Sequence, residues 1–540
     1  MHIKNSLGCA IFLGWLLMPS PIVAQSQTDA DKIELLQRQT ELLEKQLKAL
    51  QQELKQTKRR TEKVEAAVAV EAPFQTVVAP SHTPSSYETK SAAGKLLPSV
   101  AGVKVTLGGY VAAESVFRTR NQVADMGSTF NSIPYPFSPL YGENEFHASA
   151  RGSRLSLLAE GNIDAAQKLS AYYETDFLGV ATNANYIETN NWSPRLRQAY
   201  VAYDSTDHGV HFLAGQAYSL LTQNKVGIVP RQENIPLIID YFNVVGFDYT
   251  RNWQIRFVKD FHKAFWLGVS VESPATLTAA GNIPASVNGV LINFSNVAAG
   301  GYLNGVNVTT DQAPDIIVKA AFDHDWGHYE LFGIQRFFSN GTFCTTPVPT
   351  GCAINTTDSK TSYGWGVGGS VLLPVVRSYL DLQASFMYGS GIGRYGSGQL
   401  PDVTIAADGS LAPITALHAL AGLVLHPVEG LDIYAYAGIE RANAKFFNAF
   451  GYGNPAFDNS GCTVTTALSF GGGTSNCIAN NRLLSELTVG FWHDLYKGHL
   501  GRVALGAQYE YLKREAFNGV GGAPSTDDSV IYTSLRYYPF

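Results

Sequence analysis

Charge is scarce in this chain. Asp, Glu, Lys and Arg make up 16% of the 540 residues, against about a quarter in an ordinary soluble domain. No basic stripe exists and the net charge is -6, which excludes nucleic acid as the expected partner. Met is rare, at 4 residues, and Cys numbers 5. No stretch beyond the first 24 residues is apolar for long enough to form a transmembrane helix. A chain without such helices can still cross a bilayer as a closed β-barrel, because only helices and closed barrels satisfy every backbone group in hydrocarbon. Phosphate-binding loops of the GxxxxGK[ST] type, GxSxG elbows, HExxH helices and CxxC pairs are all missing. Nothing in the sequence argues for an enzyme, a cofactor or a metal centre. His324 and His328, flanked by Asp323 and Asp325, straddle an expected tight hairpin and read as solvated turn residues.

What is plentiful is Gly (51), Tyr (27) and Phe (28). Few charges with many glycines and aromatics suit alternating strands with aromatic belts. They suit a secreted β-sandwich equally well, so the order along the chain has to decide.

Residues 1–24 read as a secretory signal. Lys4 gives the positive start, and Leu7 to Met18 form an apolar core of about twelve residues. Pro19 and Pro21 end it, and Ile22-Val23-Ala24 offers a cleavage site before Gln25. Residues 25–71 follow as a polar, Pro- and Gly-free segment. Ile33, Thr40, Leu47, Leu54, Thr61 and Val68 interleave with Leu36, Leu43, Leu50, Thr57 and Val64 at spacings of 3 and 4. That is the seam of a heptad coiled coil. Residues 72–102 carry Pro73, Pro80, Pro84 and Pro98 among Ser, Thr and Ala, the composition of an extended spacer.

From Val103 to the end the period becomes 2. Sixteen segments of strand character are separated by connections that alternate long and short. The long ones include 120–146, 180–195, 222–245, 275–314, 340–361, 391–416 and 448–479. Short periplasmic turns, long external loops and an even strand number define outer-membrane barrels. Within strands, Val503, Leu505, Ala507, Tyr509 and Tyr511 share one face, opposite Arg502, Gln508 and Glu510. The fold class expected is therefore an all-β transmembrane barrel of about sixteen antiparallel strands, preceded by an α-helical coiled coil.

Parity places Arg154, Lys168, Arg256, Lys319, Arg482 and Arg502 in the lumen, beside Glu160, Glu174, Asp176, Asp323, Asp381, Glu486 and Glu510. The third long loop, 222–245, carries Lys225 and Arg231 and is the candidate to fold inward. Cys344 with Cys352, and Cys462 with Cys477, each share one external loop. Within-loop disulfides are favoured by proximity, with unpaired thiols as the alternative. At the C-terminus Leu535 and Tyr537 have the opposite parity to Tyr538 and Phe540, which a slip near Pro539 would reconcile.

This layout resembles the DcaP-like porins of Gram-negative outer membranes. Val103-Lys-Val-Thr-Leu-Gly-Gly-Tyr110 resembles their opening strand, and Arg151-Gly-Ser-Arg-Leu-Ser-Leu157 and Leu196-Arg-Gln-Ala-Tyr-Val201 resemble early strands of that family and of related porins. The resemblance implies a homotrimer aligned by a periplasmic coil, and passive uptake of small anions such as dicarboxylates and aromatic acids. The partners expected are outer-membrane lipid and lipopolysaccharide, small anionic solutes, and the barrel-assembly machinery acting through Phe540. A barrel that only displays its loops, with no channel activity, is the alternative.

Overall fold

A computed structural model of the chain describes residues 102–179, 193–279, 311–344, 357–465 and 476–540, with a few positions between and before them. The chain divides into two compact units, Met1–Ala79 and Pro80–Phe540. In the first unit only Lys45, Lys48 and Gln52 are described, each helical. The expected signal segment, nearly all of the coiled coil and most of the spacer lie outside the described residues.

The second unit is a closed antiparallel barrel. Its strands are β1 (Lys104–Arg118), β2 (Glu145–Ser149 continued by Arg154–Asn162), β3 (Gln167–Asp176), β4 (Arg195–Ser205) and β5 (Val210–Tyr218). Next come β6 (Arg251–Phe261), β7 (Phe265–Glu272), β8 (Asp315–His324), β9 (Gly327–Cys344), β10 (Thr357–Val376) and β11 (Leu380–Ser390). The last are β12 (Thr415–Val428), β13 (Leu431–Ala442), β14 (Asn481–Gly498), β15 (Gly501–Ala516) and β16 (Ser525–Tyr538). Each strand pairs with its sequence neighbours, and β16 pairs with β1 to close the cylinder, Val111 opposite Tyr537. The sixteen strands and the long–short alternation read from the sequence are both present. Among the described residues no helix is long and apolar enough to cross a membrane.

Alternation sorts the side chains. In β6, Trp253, Ile255 and Phe257 are exposed, while Asn252, Gln254 and Arg256 are buried toward the lumen. β15 behaves likewise, with Leu505, Tyr509 and Tyr511 outside and Gln508 and Glu510 inside. This inverts a soluble protein, in which the apolar side is the covered one. The exposed aromatics gather at both rims. Phe261, Phe265, Trp326, Tyr379, Tyr496 and Tyr537 lie at the short-turn end, and Tyr363, Trp365, Tyr388, Tyr509 and Tyr511 toward the long-loop end. Two aromatic girdles around an apolar wall are what a bilayer's two interfaces select.

Two local readings are corrected. His328 is not solvated. The hairpin register sets it opposite Asp323, and its side chain turns into the lumen between Asp323 (2.6 Å) and Glu330 (3.1 Å). The end of β16 has no slip: Arg502 pairs with Tyr538 and Val503 with Tyr537, so Tyr538 points inward and Tyr537 outward.

Cys462 and Cys477 form a disulfide with their Cα atoms 4.7 Å apart. The other expected pair, Cys344–Cys352, cannot be placed, since Cys352 lies outside the described residues.

Candidate functional site: an arginine-lined lumen narrowed by an inward loop

The loop between β5 and β6, residues 219–250, folds into the barrel. Its attachment is unusual in chemistry. The wall's acids and amides accept hydrogen bonds from the loop's backbone N–H groups. Leu220 N donates to Glu272 (2.8 Å), Asn224 N to Glu330 (3.0 Å) and Gly227 N to Asp323 (2.9 Å). Farther along, Ile239 N donates to Gln508 (2.6 Å), Val245 N to Glu486 (2.8 Å) and Gly246 N to Glu440 (2.9 Å). Trp492 Nε1 returns a bond to Leu237 O (2.8 Å). A backbone N–H buried without a partner costs about 1–3 kcal/mol, so these carboxylates are what make an irregular segment tolerable inside the barrel.

Apolar packing completes the dock. Leu237, Ile239, Val244, Val245 and Phe247 join Tyr434, Tyr436, Trp492 and Tyr532 in one buried cluster. Gly246 has φ +86°, and a Cβ there would lie 2.2 Å from Ala419 O, so the loop touches the wall at a point where only glycine fits. Two further loops brace it. Ser128 N donates to Asp240 (3.0 Å), and Tyr249 N donates to Tyr395 O (2.9 Å). Burial pushes the Asp240 carboxyl above its ordinary pKa, against the opposing pull of its hydrogen bonds from Phe242 N, Ser128 and Tyr532.

The anchors run from β7 round to β15. The loop also touches β16, where the Tyr532 hydroxyl donates to Asp240 (2.8 Å), and β1, where the Tyr241 hydroxyl donates to Glu114. The arc from β16 through β1 to β6 makes none of these backbone anchors, and it carries a cluster of arginines. A narrow pocket lies between this arc and loop residues 235–249. It encloses about 40 Å³ of water-accessible space. The wall contributes Tyr110, Arg154, Asp176, Arg197, Tyr218, Arg251 and Arg536, and the loop contributes Asp240 with Ile235, Pro236, Tyr241 and Tyr249 among others. Arg195 grips Asp176 through two bonds, 3.0 and 2.7 Å. Arg197 reaches Asp176 (3.0 Å), Glu174 and the Tyr218 hydroxyl (3.2 Å). Arg154 stands 3.9 Å from Glu174. Arg536 forks onto Glu114 at 3.0 and 2.9 Å, between the rings of Tyr110 and Trp492. Four arginines, at 154, 195, 197 and 251, thus stand beside two wall carboxylates, Glu174 and Asp176; with the loop's Asp240 in the same pocket, one positive charge is in excess. On the opposite wall Glu440 and Glu486 are occupied with loop N–H groups. The two walls therefore present opposite chemistry to the gap, and a cleft lined by one sign of charge concentrates ions of the other.

Of the residues expected from parity to line the lumen, Arg154 lines this pocket. Lys168 sits near the short-turn end beside Glu160 (3.3 Å) and Asp204 (3.9 Å). Arg256 is buried in the wall, donating to Gln254 (3.0 Å) and Tyr218 O (2.5 Å). Lys319 is buried against Glu330 (2.9 Å) and Thr222 O (2.8 Å), where it helps hold the loop. Arg482 pairs with Glu515 (2.8 Å) and is half-exposed, and Arg502 pairs with Asp494 (3.1 Å) over the Tyr538 ring. Lys225 and Arg231 are in the inward loop, Lys225 buried and Arg231 with its guanidinium 5.7 Å from the Tyr172 ring.

Three pocket residues escaped the sequence reading. Arg197 occupies a bulge: Glu174 pairs with Gln198 and Thr175 with Leu196, so the extra residue is turned inward against simple alternation. Arg251 has the parity of outward Trp253, yet at the first position of β6 its guanidinium lies over the Tyr218 ring and lines the pocket. Arg536 lies where the terminal register was ambiguous. A signal existed only for Arg197, since Arg195-Leu-Arg-Gln breaks the apolar alternation of its strand.

A closed sixteen-stranded antiparallel barrel, greasy outside and polar inside with a long loop folded in, has the architecture of outer-membrane channels. Among solved structures the chain is similar to the outer membrane channel DcaP of Acinetobacter baumannii, with TM-score 0.56 and 19% identity, covering 82% of this chain and 99% of that one. It also matches an outer membrane protein of Vibrio cholerae (TM-score 0.40, 10% identity, 82% of this chain and 99% of that one). An anion-selective porin from Comamonas acidovorans matches at TM-score 0.41 and 11% identity, over 81% of this chain and 99% of that one. No protein-family profile and no curated protein matches the sequence.

Proposed function

We propose that the protein is an outer-membrane channel for passive diffusion of small hydrophilic solutes, with a preference for anions, and not an enzyme. The observation that carries this reading is the excess of arginine over carboxylate on β2 to β6, set against acids that are spent on loop backbone. The exposed apolar wall and its two aromatic girdles support a place in the Gram-negative outer membrane. The heptads of residues 25–71 support a periplasmic coil that aligns a homotrimer, and Phe540 a terminal contact with assembly machinery. Dicarboxylates and aromatic acids are the solutes that the family resemblance nominates.

The test is a reversal potential in a planar bilayer under a salt gradient. Anion preference that falls on Arg154→Ala substitution is expected. Cation preference, unchanged by that substitution, contradicts it. The small free volume beside the loop favours one second reading, a barrel that displays its loops without conducting. A silent bilayer would decide for it.

A further inference from the structure

We propose that the outward face of β12 to β15, at its long-loop end, docks the phosphorylated lipid anchor of lipopolysaccharide. Arg441 and its basic neighbours take the phosphates, and a trough of small residues beneath them takes acyl chains. This rests on the outer-membrane reading above and not on conduction. Pairing sets Arg441 beside Leu417 and Leu483, and Ala437, four residues back along β13, beside Ala421 and Leu487. Here the lipid-facing wall dips. A hollow of about 410 Å³ is lined by Ala419, Ala421, Ala437 and Ser485. A second, of about 770 Å³, continues it toward the short-turn end past Ala435, Val489 and Ala507. Phe386 and Tyr388 on β11 rise along one side, and Tyr509 and Tyr511 on β15 along the other. A chain lying between these ridges touches protein on three sides, and the dispersion contacts add along its length.

Above the trough the wall turns basic. Arg441 is exposed and has no ion-pair partner among the described residues. Lys445, four residues later, is also exposed. Arg482 (2.8 Å) and Lys513 (2.6 Å) share the one carboxylate of Glu515. Asp527 on β16 is engaged by Arg120 at 3.6 Å and by the Tyr511 hydroxyl at 3.1 Å. Lys513 is the next outward position past Tyr511, so these cations stand just beyond the outer aromatic girdle, at the level of lipid headgroups. A basic cluster over an apolar groove recognises an anionic lipid, and a guanidinium fork matches phosphate oxygens through paired bonds. The cations spread from β13 to β15, about 10 Å at the spacing of neighbouring strands. Lipid A, with two phosphates on a disaccharide and several chains, suits that width; a glycerophospholipid offers one phosphate and two chains.

The experiment uses the full-length protein in octyl glucoside micelles, titrated with bisphosphorylated lipid A and read by native mass spectrometry. The wild type binds it saturably. Arg441→Glu weakens binding about tenfold or more, as expected for loss of one charge-assisted contact. Ala437→Trp fills the trough without touching a charge and weakens binding severalfold. Lys497→Ala, which removes an exposed cation at the opposite rim, leaves it within about twofold. Lipid A stripped of its phosphates binds more weakly than the intact lipid. Retention of heat-modifiable migration on gels confirms that each variant is folded. A wild type that stays dispersed without detergent would remove the outer-membrane reading itself. A detergent-dependent wild type that binds lipid A equally with and without phosphates, or whose binding is unchanged by both Arg441→Glu and Ala437→Trp, would overturn this site alone. Equal binding of phosphatidylglycerol would overturn lipopolysaccharide as its occupant.

Discussion

Replacing Gly246 by alanine tests whether the inward loop controls the pore. At φ +86° an alanine is strained, and its Cβ would sit 2.2 Å from Ala419 O, which is backbone and cannot rotate away. The left-handed conformation costs about 1 kcal/mol and the overlap about 1–3 kcal/mol. Relief requires the segment to lift off the wall. That would stretch the bonds from Gly246 N to Glu440 and from Val245 N to Glu486, both near 2.9 Å. Hydrogen bonds to charged acceptors contribute about 1.5–3 kcal/mol each, so the docked loop would lose on the order of 5 kcal/mol. The barrel ladder does not pass through Gly246, so the protein should still assemble. The expected result is higher single-channel conductance with more flicker, together with faster amide exchange across residues 235–250. Native conductance, quiet traces and unchanged exchange in a folded Gly246→Ala protein would refute the idea that this contact holds the loop in place.

Other outcomes follow from the same geometry. Asp240 has a raised pKa in the docked loop, so docking binds its proton more tightly than the undocked state does. Its contribution is present below the ordinary carboxylate pKa and is lost as pH climbs through the raised value. Glu486, Glu510, Tyr532 and Arg118 face it, and Asp240→Asn should flatten a rise in channel flicker between acid and neutral pH in bilayer recordings. Arg256→Ala removes bonds to Gln254 and Tyr218 O rather than a pocket charge, so it should lower thermal stability, by about 2–4 kcal/mol, more than it alters reversal potential. Opening Cys462–Cys477 by Cys477→Ser frees a loop spanning 15 residues and should cost about 3 kcal/mol, read as faster proteolysis of residues 448–479 with the barrel intact.

The barrel was legible in the residues because a strand's alternation has an exact period and each face meets a different solvent. Trp253, Ile255 and Phe257 against Gln254 and Arg256 can be sorted without coordinates, and so can the number of strands and the long–short order of their connections. The candidate inward loop and the Cys462–Cys477 pair were also visible, through loop order and proximity. The pocket was not. Arg197 faces the lumen because one extra residue in a bulge re-aims it, and Arg251 because alternation lapses where β6 begins. Which acids remain free to act on a solute was equally hidden. Glu486 looks like a pore charge in sequence, but the loop's Val245 N–H occupies it. Periodicity is local and fixes which way a side chain faces; what it meets there depends on residues hundreds of positions away, and only tertiary packing brings them together.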